Sequence, residues 1–107
     1  MSRLAFLKSA TPHLIADVRM YATENNGRKT SAVLGWGVPC IVSLAEPLTG
    51  WDAWPIFDDG QPLAPGESRR AGFHFLSGDE PARIMREAGH FYLWEGRVVG
   101  EAVVVGE

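Results

Sequence analysis

The side chains that could do acid–base or metal chemistry in this chain are few and lie far apart in the sequence. His13, His74 and His90 are widely separated, and none has a partner at the i, i+4 spacing that places two imidazoles on one helix face as zinc ligands. His74 and His90 could converge with the acids Asp79 and Glu80 in space, but isolated surface histidines are the expected arrangement. We expect neither a metal nor a cofactor.

The one candidate nucleophile and the one pair of neighbouring carboxylates are equally weak evidence for a catalytic or metal site. Cys40 is the single cysteine, so no intrachain disulfide forms. It shares the apolar phase of Val38 and Val42, where a thiol is expected to pack as a small hydrophobe. Asp58 and Asp59 are neighbours in a loop and fall short of a calcium-binding motif, so they are expected to be solvated turn residues. We assign no catalytic residue and expect a protein that is not an enzyme.

Arg28, Lys29 and Thr30 are the best candidates for contact with a polyanion. Two cations can neutralise phosphates, and the hydroxyl of Thr30 can donate a hydrogen bond to one. The first 30 residues carry five basic side chains against two acidic ones, whereas the whole chain has a net charge of −3. A general nucleic-acid binder is usually basic, so a charged turn that keeps the loop soluble is the favoured interpretation.

Alternation of apolar and polar residues with a period of two runs through most of the chain and predicts strands. It is clearest in the ranges 13–22, 38–44, 69–76 and 90–105. Asn25–Arg28 predicts a tight reversal and therefore a hairpin after the first strand. Pro55 interrupts the range 51–57 and favours an edge strand there. Glu80–Ala88 is the only stretch that could form helical turns, and its neighbours favour a strand, with Ile84 facing inward.

The strands near the end of the chain predict an apolar outer face. Phe91 and Leu93 share the inward phase, and Glu101 marks the opposite, outward phase in the last strand. The outward residues of this face are Tyr92, Trp94, Val99 and Val103. Exposed apolar area costs about 25 cal/mol per Å², so such a face usually marks a protein interface. The alternative is that it is covered, for example by the N-terminal residues 4–7.

Length and composition predict one all-β domain. A chain of 107 residues with 46% hydrophobic and 21% charged residues is an ordinary globular sequence. Six or so short strands separated by Gly and Pro predict a six-stranded antiparallel barrel, closed or partly open. We expect residues 1–11 to be an extension and 12–105 to form the barrel. No signal-peptide core or membrane-length apolar run is present, which favours the cytoplasm and no membrane partner.

Several turn and strand motifs resemble one known family. The segments 63–67 (LAPGE) and 91–100 (FYLWEGRVVG), followed by Val103 and Val104, are similar to the C-terminal β-barrel of elongation factor Tu and related translation GTPases. The segments 27–30 (GRKT) and 48–50 (LTG) resemble loops of the same domain. The chain departs from the family pattern at Lys29, where His is common, at Ser31, where Pro is usual, and in having one Gly in its last hairpin.

The resemblance implies a stand-alone copy of a barrel that, in the factor, contacts a GTPase domain and aminoacyl-tRNA. No phosphate-binding loop of the GxxxxGK[ST] type is present, so we expect no nucleotide partner. The leading hypothesis is a non-catalytic binding module that contacts another protein, or itself as a homodimer, through the apolar barrel face. The alternative is a tRNA- or ribosome-associated accessory factor that uses the tip at Arg28–Thr30. A small enzyme of unknown reaction comes third.

Overall fold

Six strands and one α-helix form the regular structure of the residues described by this computed structural model, 11–57 and 59–106. In chain order they are β1 (Leu14–Met20), β2 (Val38–Ile41), β3 (Trp51–Ile56), β4 (Ser68–Phe75), α1 (Asp79–Ala88), β5 (His90–Trp94) and β6 (Val98–Val104). A 3₁₀ turn, Thr23–Asn25, follows β1. The period-two pattern thus predicts the positions of the strands correctly.

The strands form a closed antiparallel barrel in the order β1–β4–β3–β2–β5–β6, and β6 pairs with β1 to complete the ring. This confirms the predicted barrel. The edge position predicted for β3 is wrong, because β3 lies between β4 and β2. The reason is local: β2 pairs only with Trp51–Ala53, and Pro55 lies beyond that stretch, paired with Phe73 of β4. Proline has no backbone N–H to donate, and at this position no hydrogen bond to β2 is lost by its absence.

The reversal after β1 is present, but it does not make a hairpin. Asn26 adopts a left-handed backbone with φ of 72°, as expected of an Asn-Gly turn. A Cβ on the buried Gly27 would lie 1.9 Å from the carbonyl oxygen of Tyr21, so only glycine fits there. The hydrogen-bonded neighbours of β1 are β4 and β6, and the chain after Gly27 continues as a long connection to β2.

The barrel interior is filled by the inward phases of the strands. Ala71, Phe73 and Phe75 of β4 are buried, as are Phe91 and Leu93 of β5, which confirms the predicted orientation of both strands. The rings of Phe73 and Phe91 meet edge to face, with centroids 5.2 Å apart, a favourable geometry for aromatic pairs. The interior is therefore a packed core.

The segment Glu80–Ala88, predicted to be a strand, is part of helix α1, so that prediction is wrong. The buried residues Pro81, Ala82 and Met85 recur at helical spacing, whereas Ile84, predicted to face inward, is only half-buried. Gly89 ends the helix with φ of 77°, and its N–H donates to the carbonyl of Met85. The apolar residues at 81, 82, 84 and 85 already follow helical spacing, and Gly89 is a typical helix stop, so the strand prediction gave too much weight to the neighbouring strands.

We predict that Phe73→Ala lowers the free energy of unfolding by about 3–5 kcal/mol, because the truncation leaves a cavity in the core beside Phe91. The matched control is Leu76→Ala, at a side chain that is 63% exposed just after the same strand. The control is expected to change stability by about 0.5 kcal/mol or less. Urea denaturation of both variants tests the packing, and equal effects would contradict it.

Candidate functional site

The outward phases of β5, β6, β1 and β4 meet on one side of the barrel, which we call the outer face. Its residues are Ile15, Asp17, Arg19, Ser68, Arg70, His90, Tyr92, Glu101 and Val103. Strand pairing arranges eight of them in two rows. One row runs His90, Val103, Asp17, Arg70, and the next runs Tyr92, Glu101, Arg19, Ser68. Cross-strand neighbours in such rows are close enough to interact directly.

Two ion pairs cross the outer face. Nε of Arg70 donates to Asp17 at 2.8 Å, and a guanidinium nitrogen of Arg19 donates to Glu101 at 2.8 Å. Glu101 also accepts the hydroxyl of Tyr21 at 2.8 Å. Hydrogen bonds from Arg19 and Tyr21 hold the pKa of Glu101 below its ordinary value. Burial, with help from Glu101, raises the pKa of Tyr21 to about 12. The carboxylates are therefore ionised and already engaged at neutral pH.

Val103 is the apolar centre of the outer face. Its side chain is 54% exposed between His90 and Asp17, and Ile15 is 39% exposed one strand away. A shallow groove of about 370 Å³ runs beside Val103 between Arg19, Arg70 and Glu101. An exposed aliphatic centre with a charged rim is the usual anatomy of a protein-binding surface.

Val99 was predicted to belong to this face, and the structure corrects that prediction. Its side chain is fully buried in the core. Leu93 pairs with Gly100, but Trp94 pairs with Val98, so Val99 is the extra residue of a β-bulge. A bulge inserts one residue without a partner and changes the local direction of side chains. Alternation counted back from Glu101 therefore fails beyond Gly100.

Tyr92 and Trp94 point outward as predicted, but both are half-buried. The ring of Tyr92 stands edge-on to that of His90, with centroids 4.7 Å apart. On its other side Tyr92 pairs with the buried Ile41 of β2. Because both aromatics are half-buried, the exposed apolar area of the outer face lies around Val103. Residues 4–7, considered as a cover for this face, lie outside the described residues.

The tip at Arg28–Thr30 does not present three groups for phosphate. Arg28 is only 16% exposed, with its guanidinium 4.6 Å from the ring centre of Trp36 and its Nε donating to Glu95 at 3.1 Å. It also donates to the carbonyl of Ser31 at 2.9 Å. Only Lys29 and Thr30 are exposed to solvent. Arg28 therefore serves packing and loop geometry.

Glu95 joins the long loop after β1 to the turn between β5 and β6. It accepts the indole N–H of Trp36 at 2.8 Å as well as Arg28. Burial alone would raise the pKa of Glu95, but the hydrogen bonds from Trp36 and Arg28 outweigh it and lower the pKa. Arg97 completes the contact by donating to the carbonyl of Asn26 at 2.8 Å. Sequence reasoning missed this cluster, because its members are far apart and no periodicity links them.

The histidines do not assemble into a site with Asp79 and Glu80. His74 stacks against His13 and Trp54, whereas His90 lies beside Tyr92, with its Nε2 3.9 Å from Glu101. Within 11–57 and 59–106, no group of three or more His, Cys, Asp and Glu side chains is arranged to hold a metal ion.

The surroundings of Cys40 and Asp59 are those of a core residue and a turn residue. Cys40 is fully buried, and burial raises the pKa of its thiol well above the ordinary value, which keeps it a thiol and a poor nucleophile. Asp59 accepts the N–H of Gln61 at 3.0 Å and pairs with Arg69 at 3.4 Å, as a turn residue does. Its predicted partner, Asp58, lies outside the described residues.

Comparison of the sequence with protein-family models and with curated proteins finds no match. No helix in the described part of the chain is long and apolar enough to cross a membrane.

We predict that Glu95→Ala lowers the free energy of unfolding by about 1–2 kcal/mol, because it removes the acceptor of Trp36 and Arg28 in a half-exposed site. Since the pKa of Glu95 is lowered by folding, its contribution is present above the ordinary carboxyl pKa and is lost as the pH falls through the lower folded value. Denaturation at pH 7 and pH 3 measures both effects. Glu24→Ala, in the exposed turn after β1, is the control; a Glu95 effect no larger than its effect would contradict the role of the cluster.

Proposed function

We propose that this protein is a non-catalytic binding module that contacts a partner protein through the outer face, with Val103 at the centre of the contact. The observation that carries this proposal is the exposure of Val103 and Ile15 on a regular strand surface flanked by the ion pairs Asp17–Arg70 and Arg19–Glu101. Apolar side chains held in a fixed position by a sheet lose little conformational entropy when a partner covers them. The barrel therefore offers a preorganised surface.

The packed interior also supports a surface function. Large side chains from β4 and β5 fill the barrel, so recognition is left to the outside and the loops. Charged rows beside Val103 suit a partner with an apolar contact patch and its own mixed charges. Such a rim governs specificity and association rate more than affinity. A second copy of this chain is one partner that satisfies these requirements.

The relationship to the C-terminal barrel of elongation factor Tu remains part of this proposal and is supported by the turn motifs together with the six-stranded barrel. Contact with tRNA or the ribosome is the second candidate, and no contact seen at the tip favours it, because Arg28 is engaged with Glu95 and Trp36. We further propose a cytoplasmic location, which the free thiol of Cys40 supports.

The test compares two double variants that remove equal apolar character from different surfaces. Ile15→Gln with Val103→Gln alters the outer face, and Val33→Gln with Leu44→Gln alters two exposed loop positions. Partners captured with the wild-type protein are purified singly and titrated by calorimetry, and self-association is measured by sedimentation. We predict that the outer-face variant binds at least about tenfold more weakly. The loop variant is expected to bind like the wild type.

Thermal unfolding of both double variants checks that they fold, so that a loss of binding is read as a loss of contact. Equal affinity of the wild type and the outer-face variant for every purified partner, together with unchanged sedimentation, would refute the proposal. Titration with tRNA at several salt concentrations addresses the second candidate, since phosphate contacts give an affinity that falls with salt. Binding of that kind, lost on Lys29→Ala, would favour the tRNA-binding function instead.

A further inference from the structure

The residues that precede β1 lie across the outside of β4, and we call Thr11–His13 the strap. The N–H of His13 donates to the carbonyl of Phe73 at 2.9 Å. Pro12 covers Gly72 so closely that a Cβ on this glycine would lie 2.7 Å from the Cβ of Pro12. The main chain of Thr11 is hydrogen-bonded to the ring of His74. The strap is thus fastened to β4 at several consecutive residues.

The side chain of His13 makes the contact that depends on its protonation state. Its Nδ1 accepts the N–H of Phe75 at 3.0 Å. An imidazole nitrogen accepts a hydrogen bond only when it carries no proton, so the hydrogen of the neutral ring must be on Nε2. The ring lies directly beside that of His74, with centroids 4.5 Å apart and planes tilted by 31°. Trp54 stacks on the other side of His74, at 6.1 Å.

We propose that the His13–His74 pair is a pH-sensitive latch that holds the strap on β4 at neutral pH and releases it on mild acidification. Protonation of His13 places an N–H on Nδ1 facing the N–H of Phe75, which replaces a hydrogen bond with two opposed donors. Protonation of both rings places two positive charges next to each other in a partly covered site. The lost hydrogen bond and the repulsion between the rings both weaken the attachment, whereas the hydrogen bond to Thr11 favours protonated His74 and acts against them.

Charged groups of both signs lie on the elements next to the pair, and the one in direct contact with the strap is positive. From α1, Arg86 donates to the carbonyl of His13 and brings a positive charge to the strap. The other charged groups around the latch are Asp52, on the outer phase of β3 beside Trp54, and Asp79 and Glu80 at the start of α1, where Glu80 pairs with Arg83. Of these carboxylates, Glu80 is therefore already paired with an arginine.

Burial, followed by the neighbouring His13, outweighs the hydrogen bond to Thr11 and lowers the pKa of His74 below the ordinary histidine value of 6.5. The folded protein therefore binds this proton less readily than the unfolded chain does. The contribution of neutral His74 to the free energy of unfolding is therefore fully present above about pH 6.5, and it is lost as the pH drops below that value. Release of the strap uncovers Gly72 and His74 on β4, beside Arg70 of the outer face. The latch is inferred from the strap alone and does not depend on the proposed function.

Nuclear magnetic resonance of the full chain tests the latch at a single atom, the amide of Phe75. Between pH 7.5 and pH 5, we expect the protection of this amide from hydrogen exchange, corrected for intrinsic rates, to fall by about threefold to tenfold. In His13→Gln, the side-chain carbonyl can accept the same N–H at any pH, so the protection should become independent of pH. His90→Gln removes a histidine from the outer face, away from the strap. In this control the protection of the Phe75 amide should depend on pH as it does in the wild type.

Two results would overturn the inference. One is an amide of Phe75 whose protection is unchanged from pH 7.5 to pH 5 in the wild type. The other is imidazole ¹⁵N shifts at pH 7.5 that place the hydrogen of His13 on Nδ1, a measurement that needs no variant and remains decisive where His13→Gln fails to fold. His74→Gln keeps the acceptor but removes one charge, so the pH dependence of the Phe75 amide should persist with a smaller amplitude.

Discussion

The structure depends on the pairing of β6 with β1, which closes the sheet. Small inward residues make this seam possible: Ala16 of β1 and Ala102 of β6 are fully buried, and Gly100 sits against the opposite strand. A Cβ at Gly100 would lie 3.0 Å from the carbonyl oxygen of Arg19. Closure on these small residues leaves the centre of the barrel to the larger rings of Phe73 and Phe91, and it removes the unpaired strand edges that favour aggregation.

Closure also determines where recognition can occur. One face of each strand packs into the core and the other points outside. The proposed binding function therefore uses outward side chains and loops. The loop after β1 is held in place by Glu95 and Arg97. Its residue Arg28 is hydrogen-bonded to Glu95 in this attachment and is not available to a partner. The outer face differs because its apolar residues, Val103 above all, have no such covering among the described contacts. It is therefore the better candidate for a partner.

The parts of the fold that the sequence predicts are those encoded by neighbouring residues. Alternation around Phe73 and Phe91 suffices to assign both strands and their inward faces, and the barrel follows from the number of such strands. Val99 was misplaced because a bulge changes the phase without any special residue type, whereas α1 was missed because the neighbouring strands outweighed the helical spacing of Pro81, Ala82 and Met85. The contact of Glu95 with Trp36 joins loops 59 residues apart, and the meeting of His13 with His74 requires the register of β1 on β4. Neither has a local signal.

The ion pairs of the outer face add little to stability, and the proposed binding function would give them a role in specificity. Asp17 and Arg70 are each more than half exposed, and surface pairs of this kind contribute little to folding because water screens them and two side chains must be ordered. Their geometry is nevertheless good, with Arg70 donating to both carboxylate oxygens of Asp17. Such a pair fixes charges of both signs beside Val103. Under the proposed binding function, a partner must match the apolar centre and both charges together, which discriminates among protein surfaces more than it attracts any one of them.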